Sequence, residues 1–312
     1  MQLKSLVTGF GLALLAALPQ SAQAQVKLEL KYKEGAKQVV ASEQKTEQKL
    51  TLKVGNVDQE LDTKSQSFET STTTTGKRAD DGTLRVERKV DKLQTEVSLP
   101  GGMSLQFDSG DPDKKSDNPA LEPLVTVLRA TFKHPVTVVY DKDNAIKAVE
   151  FPEAATEGLP EAFKSQFDGE KRKKAMQAEL DFLPGKEVKA GDTWERTSEA
   201  DIGGNQIMGF TIAYEYTGTV EKDGKKLHQI KAKAKDVKYR VEDNAMLQAR
   251  DVDLKIADSD ISLLIDLEKG SVVERSSKMH IDGKMTLVIN NMEFPGKLDL
   301  KIESKAVLQP QG

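Results

Sequence analysis

Apolar residues return at every second position along most of this chain. Val26, Leu28, Leu30 and Tyr32 alternate with Lys27, Glu29 and Lys31, and Leu50, Leu52 and Val54 alternate with Thr51 and Lys53. Met103, Leu105 and Phe107 continue the pattern. The second half repeats it in Val237–Val241, Val252–Ile256, Ile261–Leu267, Met285–Ile289 and Leu298–Ile302. Such alternation puts one face of a strand in an apolar interior and the other in water. Parallel sheets bury both faces and read as continuous apolar runs, so the pattern predicts antiparallel pairing. Asp81-Gly82, Asp223-Gly224, Asp282-Gly283 and Asp243-Asn244 read as tight hairpin turns, with Asn144 and Gly270 as single turn residues. Thr63–Thr75 is polar apart from Phe68 and reads as an edge strand or flap; a parity shift near Val90–Leu93 predicts a bulge.

The middle of the chain changes period. After a polar loop at Asp108–Pro119, Leu121, Leu124, Val125, Leu128 and Phe132 recur at helical spacing, with Asn118-Pro119 as the start signal. A short hairpin follows over Pro135–Phe151. A second helix is expected after Pro160, on Leu159, Phe163 and Phe167, and a third over Gly169–Leu183, ending at Pro184-Gly185. Long one-sided strands twist and need a cover. The expected fold is therefore mainly β (α+β): a large curved antiparallel sheet or half-barrel, with a helical insert at about residues 120–183 packed on its concave face. The segment Val138–Ile146 echoes Leu264–Val272, which fits two repeated halves or, more simply, shared hairpin chemistry.

The start of the chain reads as a secretory leader. Lys4 precedes an apolar run from Leu6 to Leu18, Pro19 ends it, and Ala22-Gln23-Ala24 supplies a cleavage site. The expected organisation is a signal peptide at 1–24 and one β-rich domain at 25–312, exported to the periplasm or beyond. The apolar run is shorter than the ~20 residues a membrane-spanning helix needs, and no later segment is long and apolar enough. The full chain carries 46 basic and 50 acidic residues. This mixed, mildly acidic balance argues against a nucleic-acid partner. The absence of cysteine excludes disulfides, thiolate metal sites and a lipidated N-terminal Cys. Aromatic residues, at 5%, are too few to suggest a stacking platform.

Candidate chemistry is sparse. His134, His228 and His280 are widely separated, in no metal-binding spacing. No nucleophile elbow or phosphate loop is present. Asp108, Asp111, Asp113 and Asp117 crowd one loop, but not at EF-hand spacing, and Lys114 and Lys115 compete for them. Lys171-Arg172-Lys173-Lys174 reads as a solvated helix face, or as a contact for anionic headgroups. Trp194, in Gly191-Asp192-Thr193-Trp194, reads as a ring delivered to the core. No catalytic residue, metal ligand or cofactor is assigned. The candidate ligand-binding residues line a sheet–helix interior: Leu105, Phe107, Leu124, Leu128, Phe163, Phe167, Phe210, Ile212 and Tyr214.

Several stretches resemble an uncharacterised family of exported, β-rich proteins of planctomycete-type bacteria. They are Leu28-Glu29-Leu30-Lys31-Tyr32-Lys33-Glu34-Gly35, Asp81-Gly82, Leu105-Gln106-Phe107-Asp108-Ser109, and Gly191-Asp192-Thr193-Trp194 with Tyr214-Glu215-Tyr216-Thr217-Gly218. That family carries no agreed activity. In element order the chain also looks like the lipoprotein-localisation factors, which wrap an antiparallel sheet around helices and hold acyl chains, a likeness of architecture alone. The first expectation is a non-enzymatic envelope protein that binds an apolar or amphipathic ligand such as lipid. The alternatives are a structural or interaction protein with a filled core and, last, a hydrolase with unidentified carboxylates.

Overall fold

The structure, a computed structural model, describes residues 25–159, 161–203, 206–241, 248–289 and 291–310. The expected leader and the Asp243-Asn244 turn lie outside the described residues. A short strand β1 (Val26–Lys27) leads to β2 (Lys37–Val54), β3 (Val57–Thr75), β4 (Leu84–Leu99) and β5 (Met103–Asp108). The middle holds α1 (Glu122–Lys133), β6 (Val136–Tyr140), β7 (Ile146–Glu150), the single turn α2 (Glu161–Lys164), α3 (Gly169–Leu180) and β8 (Glu187–Val188). Long strands finish the chain: β9 (Thr193–Gly203), β10 (Gln206–Lys222), β11 (Lys225–Val241), β12 (Gln248–Asp266), β13 (Ser271–Ile289) and β14 (Met292–Leu308). Asn118 accepts a hydrogen bond from Ala120 N at 3.0 Å, which explains why the helical insert starts where its sequence signal stands.

The principal sheet has 12 strands in the order β7-β6-β4-β3-β2-β14-β13-β12-β11-β10-β9, with β5 on β4. It is curved and is not a closed barrel. Neighbours are hairpin partners except at two places: β6 pairs with β4 across the intervening β5 and α1, and the last strand, β14, pairs with β2, from Gly296↔Leu52 to Leu308↔Val40. The chain's beginning and end thus meet in the middle of the sheet. The two edges, β7 and β9, do not pair with each other; α3 packs on both. Gly169, at the first turn of α3, lies so close to β7 that a Cβ would stand 2.2 Å from the Val149 carbonyl oxygen.

Aliphatic side chains on opposed positions build the inner face. Leu50 faces Leu298, Leu300 faces Ile281, and Ile281 faces Ile256. They join Leu52, Met208, Val237, Leu254, Met285 and Leu287 in one cluster, where Ile281 is 0% exposed. α1 packs instead on β4 and β5, and α3 on β7 and β9, so the curl of the sheet itself shelters this cluster. Irregularities bend the strands: β12 shifts register against β13 between Arg250 and Asp253 and again between Ile256 and Asp258. Asp282-Gly283 is correspondingly not the hairpin turn its sequence suggests. It lies inside β13, where a Cβ on Gly283 would stand 2.1 Å from the Asp253 carbonyl oxygen.

The polar stretch Thr63–Thr75 also departs from expectation. It is not an edge or flap; β3 pairs with β2 along its length and with β4 from Lys64 to Thr75. Several of its polar side chains are paired in place: Ser67 Oγ lies 3.1 Å from Thr95 Oγ1, and Arg88 binds both Glu69 and Ser71. The bulge foreseen near Val90–Leu93 is present, as a register shift opposite Thr70 and Ser71.

A strap, residues 28–36, crosses one end of the sheet. Leu28 packs with Trp194, Tyr214 and Ile265, whereas Tyr32 packs with Leu84 and Tyr140. Lys31 N donates to Gly270 O and Gly35 N to Thr75 O. The Tyr32 hydroxyl donates to that of Tyr140 at 2.7 Å, with ring centroids 4.3 Å apart. Burial, reinforced by the neighbouring Tyr140, pushes the Tyr32 phenol up, so both rings stay neutral. Removing one hydroxyl orphans a buried polar group at a cost of about 1–3 kcal/mol. Tyr32→Phe is expected to lower the urea midpoint accordingly, with an unchanged m value in an equilibrium denaturation curve.

Candidate functional site

The inner face divides into an aliphatic wall and a polar belt, both set by strand register. On the wall, Phe210 and Tyr239 (β10, β11) and Val252 and Ile256 (β12) are half-buried, as are Met279 (β13), Ile302 (β14), Leu50 (β2) and Leu61 (β3), around the buried cluster. The wall runs out to hairpin ends whose side chains are exposed, Val57 at 68% and Met292 at 57%. Next to it lies a row of opposed residues across five strands: Thr95, Ser67, Gln44, Ser304 and Ser277. The Ser277 and Ser304 hydroxyls lie 2.8 Å apart. Gln44 is exposed and the other side chains of that row stay half-buried, so water reaches the belt.

A weak seam runs through the wall. β11 and β12 pair only from His228↔Ile265 to Ala232↔Ile261. Beyond that, no ladder pairing joins them among the described residues; the Ser259 hydroxyl accepts from Ala234 N at 2.8 Å in place of a backbone group. Aliphatic side chains stand on both sides of the interruption, Val237 on β11 and Leu254 on β12. Backbone groups along an interrupted ladder are those that open at least cost.

The nine candidate ligand residues do not converge. Leu105 and Phe107 are buried under α1, with Leu128 packed against them. Phe163 and Phe167 pack on the other side of α1, around Val127, Ala130 and Leu159. Leu124 is 38% exposed. Phe210 belongs to the wall, whereas Ile212 and Tyr214 sit near the strap, where Tyr214 stacks on Trp194 at 5.7 Å. Trp194 donates to Phe182 O at 3.1 Å and is a core ring, as its sequence context indicates. Only Phe210 of the nine lies on the wall itself. The alternation of its other members is visible in the sequence, but alternation does not show which face remains uncovered.

Other candidate chemistry disperses. Among the described residues no group of three or more His, Asp or Glu side chains is placed to hold a metal. In the acidic loop, Asp108 binds Gln94 and the backbone N of Gly110, which holds its carboxyl below the usual range, and Asp113 pairs with Lys133. On the sheet's outer face an opening of about 290 Å³ carries Phe68, 43% exposed, beside Gln66, Gln94 and Gln106.

Comparison with known proteins gives a family and distant folds. The profile described as "Family of unknown function (DUF6263)" matches residues 81–270, more than half of the chain. No curated protein matches. Among solved structures, lipovitellin, in a structure titled for its lipid–protein interactions, is similar at a TM-score of 0.45 and 10% identity. The match covers 90% of this chain but 26% of that one, so the chain spans about a quarter of lipovitellin's length. The outer membrane protein OprG of Pseudomonas aeruginosa gives 0.24 at 8% identity, covering 90% and 98% of the two chains. A DUF1329 family protein of Desulfovibrio piger gives 0.15 at 8% identity, covering 83% of each. At such scores these likenesses carry no argument about function.

His228 stands at one end of the paired stretch of β11 and β12, on the inner face opposite Ile265. Its Nδ1 lies 2.7 Å from the Tyr216 hydroxyl. Burial, with a smaller contribution from Lys226, holds the imidazole below its ordinary 6.5. The unfolded chain therefore takes up this proton at a higher pH than the folded one. The stability His228 supports is complete above about 6.5 and is lost as pH falls below it toward the folded value. Thermal melts at pH 7.5 and 5.0 are expected to show a smaller fall in Tm for His228→Gln than for the native chain.

Proposed function

This chain belongs to DUF6263, a family of unknown function, and from that premise we propose that it is an exported, non-enzymatic binding protein. It holds an amphipathic ligand with the apolar part on the wall of β2 and β10–β14 and the polar part toward the serine–threonine belt. The observation that carries this reading is the half-buried aliphatic rim on the inner face, which α1 and α3 leave uncovered and which borders the β11–β12 seam. A wall of this kind offers area without chemistry, as expected of a binding surface. Exposed apolar side chains at the hairpin ends, Val57 and Met292, extend the wall toward a membrane or another source of apolar ligand. The leader-like start of the sequence supports export.

A second reading, a structural protein with a filled interior, is favoured by the centre of the same cluster, where Ile281 is fully buried and Met285 and Leu298 nearly so. The two differ in what the rim does.

Titration with the fluorophore N-phenyl-1-naphthylamine, followed by displacement with dodecanol, tests the first reading. The native chain is expected to bind the probe and to release it to dodecanol. Ile302→Lys, which places a charge on the rim, is expected to weaken binding by about tenfold, the loss of roughly one buried aliphatic side chain. A melt without ligand separates this from unfolding. Absence of probe binding by a folded native chain, with only the bare mass in native mass spectrometry, would establish the filled-interior reading instead.

A further inference from the structure

We propose a second binding site, distinct from the wall: a cavity of about 230 Å³ that takes a small organic anion, a carboxylate or phosphate monoester carried on a compact apolar body. It lies where the inner face of β3 and β4 meets the ends of α1, β7 and α3. Its charged lining is Arg88, Arg172 and Glu69, with the His134 imidazole beside them.

The two arginines are held in different ways, and both leave donors for a ligand. Arg88 is fixed from behind, one terminal nitrogen on Glu69 and Nε 3.3 Å from Ser71 Oγ. No described residue takes its remaining terminal nitrogen. Arg172 is half-buried, and its ion-pair partner Glu179 stands 3.6 Å away, beyond hydrogen-bond reach. Its guanidinium hydrogens have no acceptor among the described residues, and the His134 ring has no hydrogen-bond partner there either. Glu69 pairs with Arg88 and Glu179 with Arg172, but only Glu69 belongs to the lining, so two guanidinium groups face the cavity against one carboxylate. A planar guanidinium matches the two oxygens of a carboxylate or phosphate.

The rest of the lining is Val90, Val136, Phe151 and Phe167, with Thr131 and Gln166 as its polar members. Phe151 and Phe167 meet edge to face with centroids 5.5 Å apart. Inorganic phosphate would leave this aromatic wall unused. A ligand with a ring or short chain would cover it and set its charged end against the arginines. Size limits the choice, since pockets for drug-sized ligands begin at about 300 Å³. The cavity therefore fits a small acid, or the headgroup of a larger one, and not an acyl chain. The basic run Lys171–Lys174 divides accordingly: Arg172 turns into the cavity while Lys171 and Lys174 are exposed.

Isothermal titration of the full chain with phenyl phosphate, inorganic phosphate and phenol tests the site. Phenyl phosphate is expected to bind, with inorganic phosphate at least about tenfold weaker and phenol undetected. Arg172→Gln is expected to weaken phenyl phosphate about tenfold with no change in the ligand-free melting temperature. Ile302→Lys, on the wall, is expected to leave phenyl phosphate unaffected, so this site and the wall can fail separately. Tighter binding of dodecyl phosphate than of phenyl phosphate would identify the anion as a lipid headgroup, and equal binding a free small acid; both support the site. Absence of phenyl phosphate binding, or equal affinity in Arg172→Gln, would overturn it.

Discussion

The structure rests on burying one face of a very long sheet with almost nothing to lay on it. β2 and β3 have 18 and 19 residues, about 60 Å at 3.3 Å per residue. α1 and α3 have 12 residues each, about 18 Å at 1.5 Å per residue, and a helix covers a width of only about 10 Å. Two such cylinders can shelter only a small part of 12 strands. The remaining apolar face escapes water by curvature, and the sequence supplies the means: paired register shifts in β12, and Gly283, which lets β13 approach the Asp253 carbonyl where a side chain would not fit. The helices lie elsewhere, α1 over β4 and β5 and α3 across the two sheet edges.

That economy leaves stability unevenly distributed. One end is pinned by the strap, the tyrosine pair, Trp194 and the glycine contact of α3 on β7. Toward the other end, β11 and β12 lose their ladder beyond Ala232 and Ile261, and the hairpin ends carry exposed valine and methionine. A sheet tight at one end and interrupted along one seam opens most readily at that seam. The residues that an opening there would expose are those of the aliphatic wall itself, which ties the packing to the proposed binding role.

Much of the fold was legible in the sequence because the period of two is a local signal. The strands, the helical insert at Asn118-Pro119, the bulge near Val90 and the core position of Trp194 each follow from a few adjacent residues. The failures share a cause. Thr63–Thr75 looks like an edge because its composition has little to bury, yet it is central: its hydroxyls bond across the sheet and Arg88 satisfies Glu69. Asp282-Gly283 has turn composition, but its neighbour β12 requires close approach there, a demand that arises 30 residues away. The candidate ligand residues scattered for the same reason. Alternation gives the face of each strand, whereas the wall depends on β14 meeting β2, a pairing with no local trace.

The belt beside the wall would constrain what the proposed site accepts. Ser67 and Thr95 bond to each other, as do Ser277 and Ser304, but each hydroxyl retains hydrogen-bonding capacity open to water. A ligand apolar over its whole length, laid from Ile302 across Ser304, would strip that water without replacing its hydrogen bonds, at about 1–3 kcal/mol for each group left unpaired. A few such losses cancel the gain from burying one or two aliphatic side chains, about 1.5–3 kcal/mol each. A molecule with one polar end avoids the loss and keeps the gain. Were the wall to bind a ligand as proposed, the juxtaposition of Met279 and Ile302 with Ser277 and Ser304, two residues away on the same strands, would favour amphipathic over purely apolar molecules by desolvation alone.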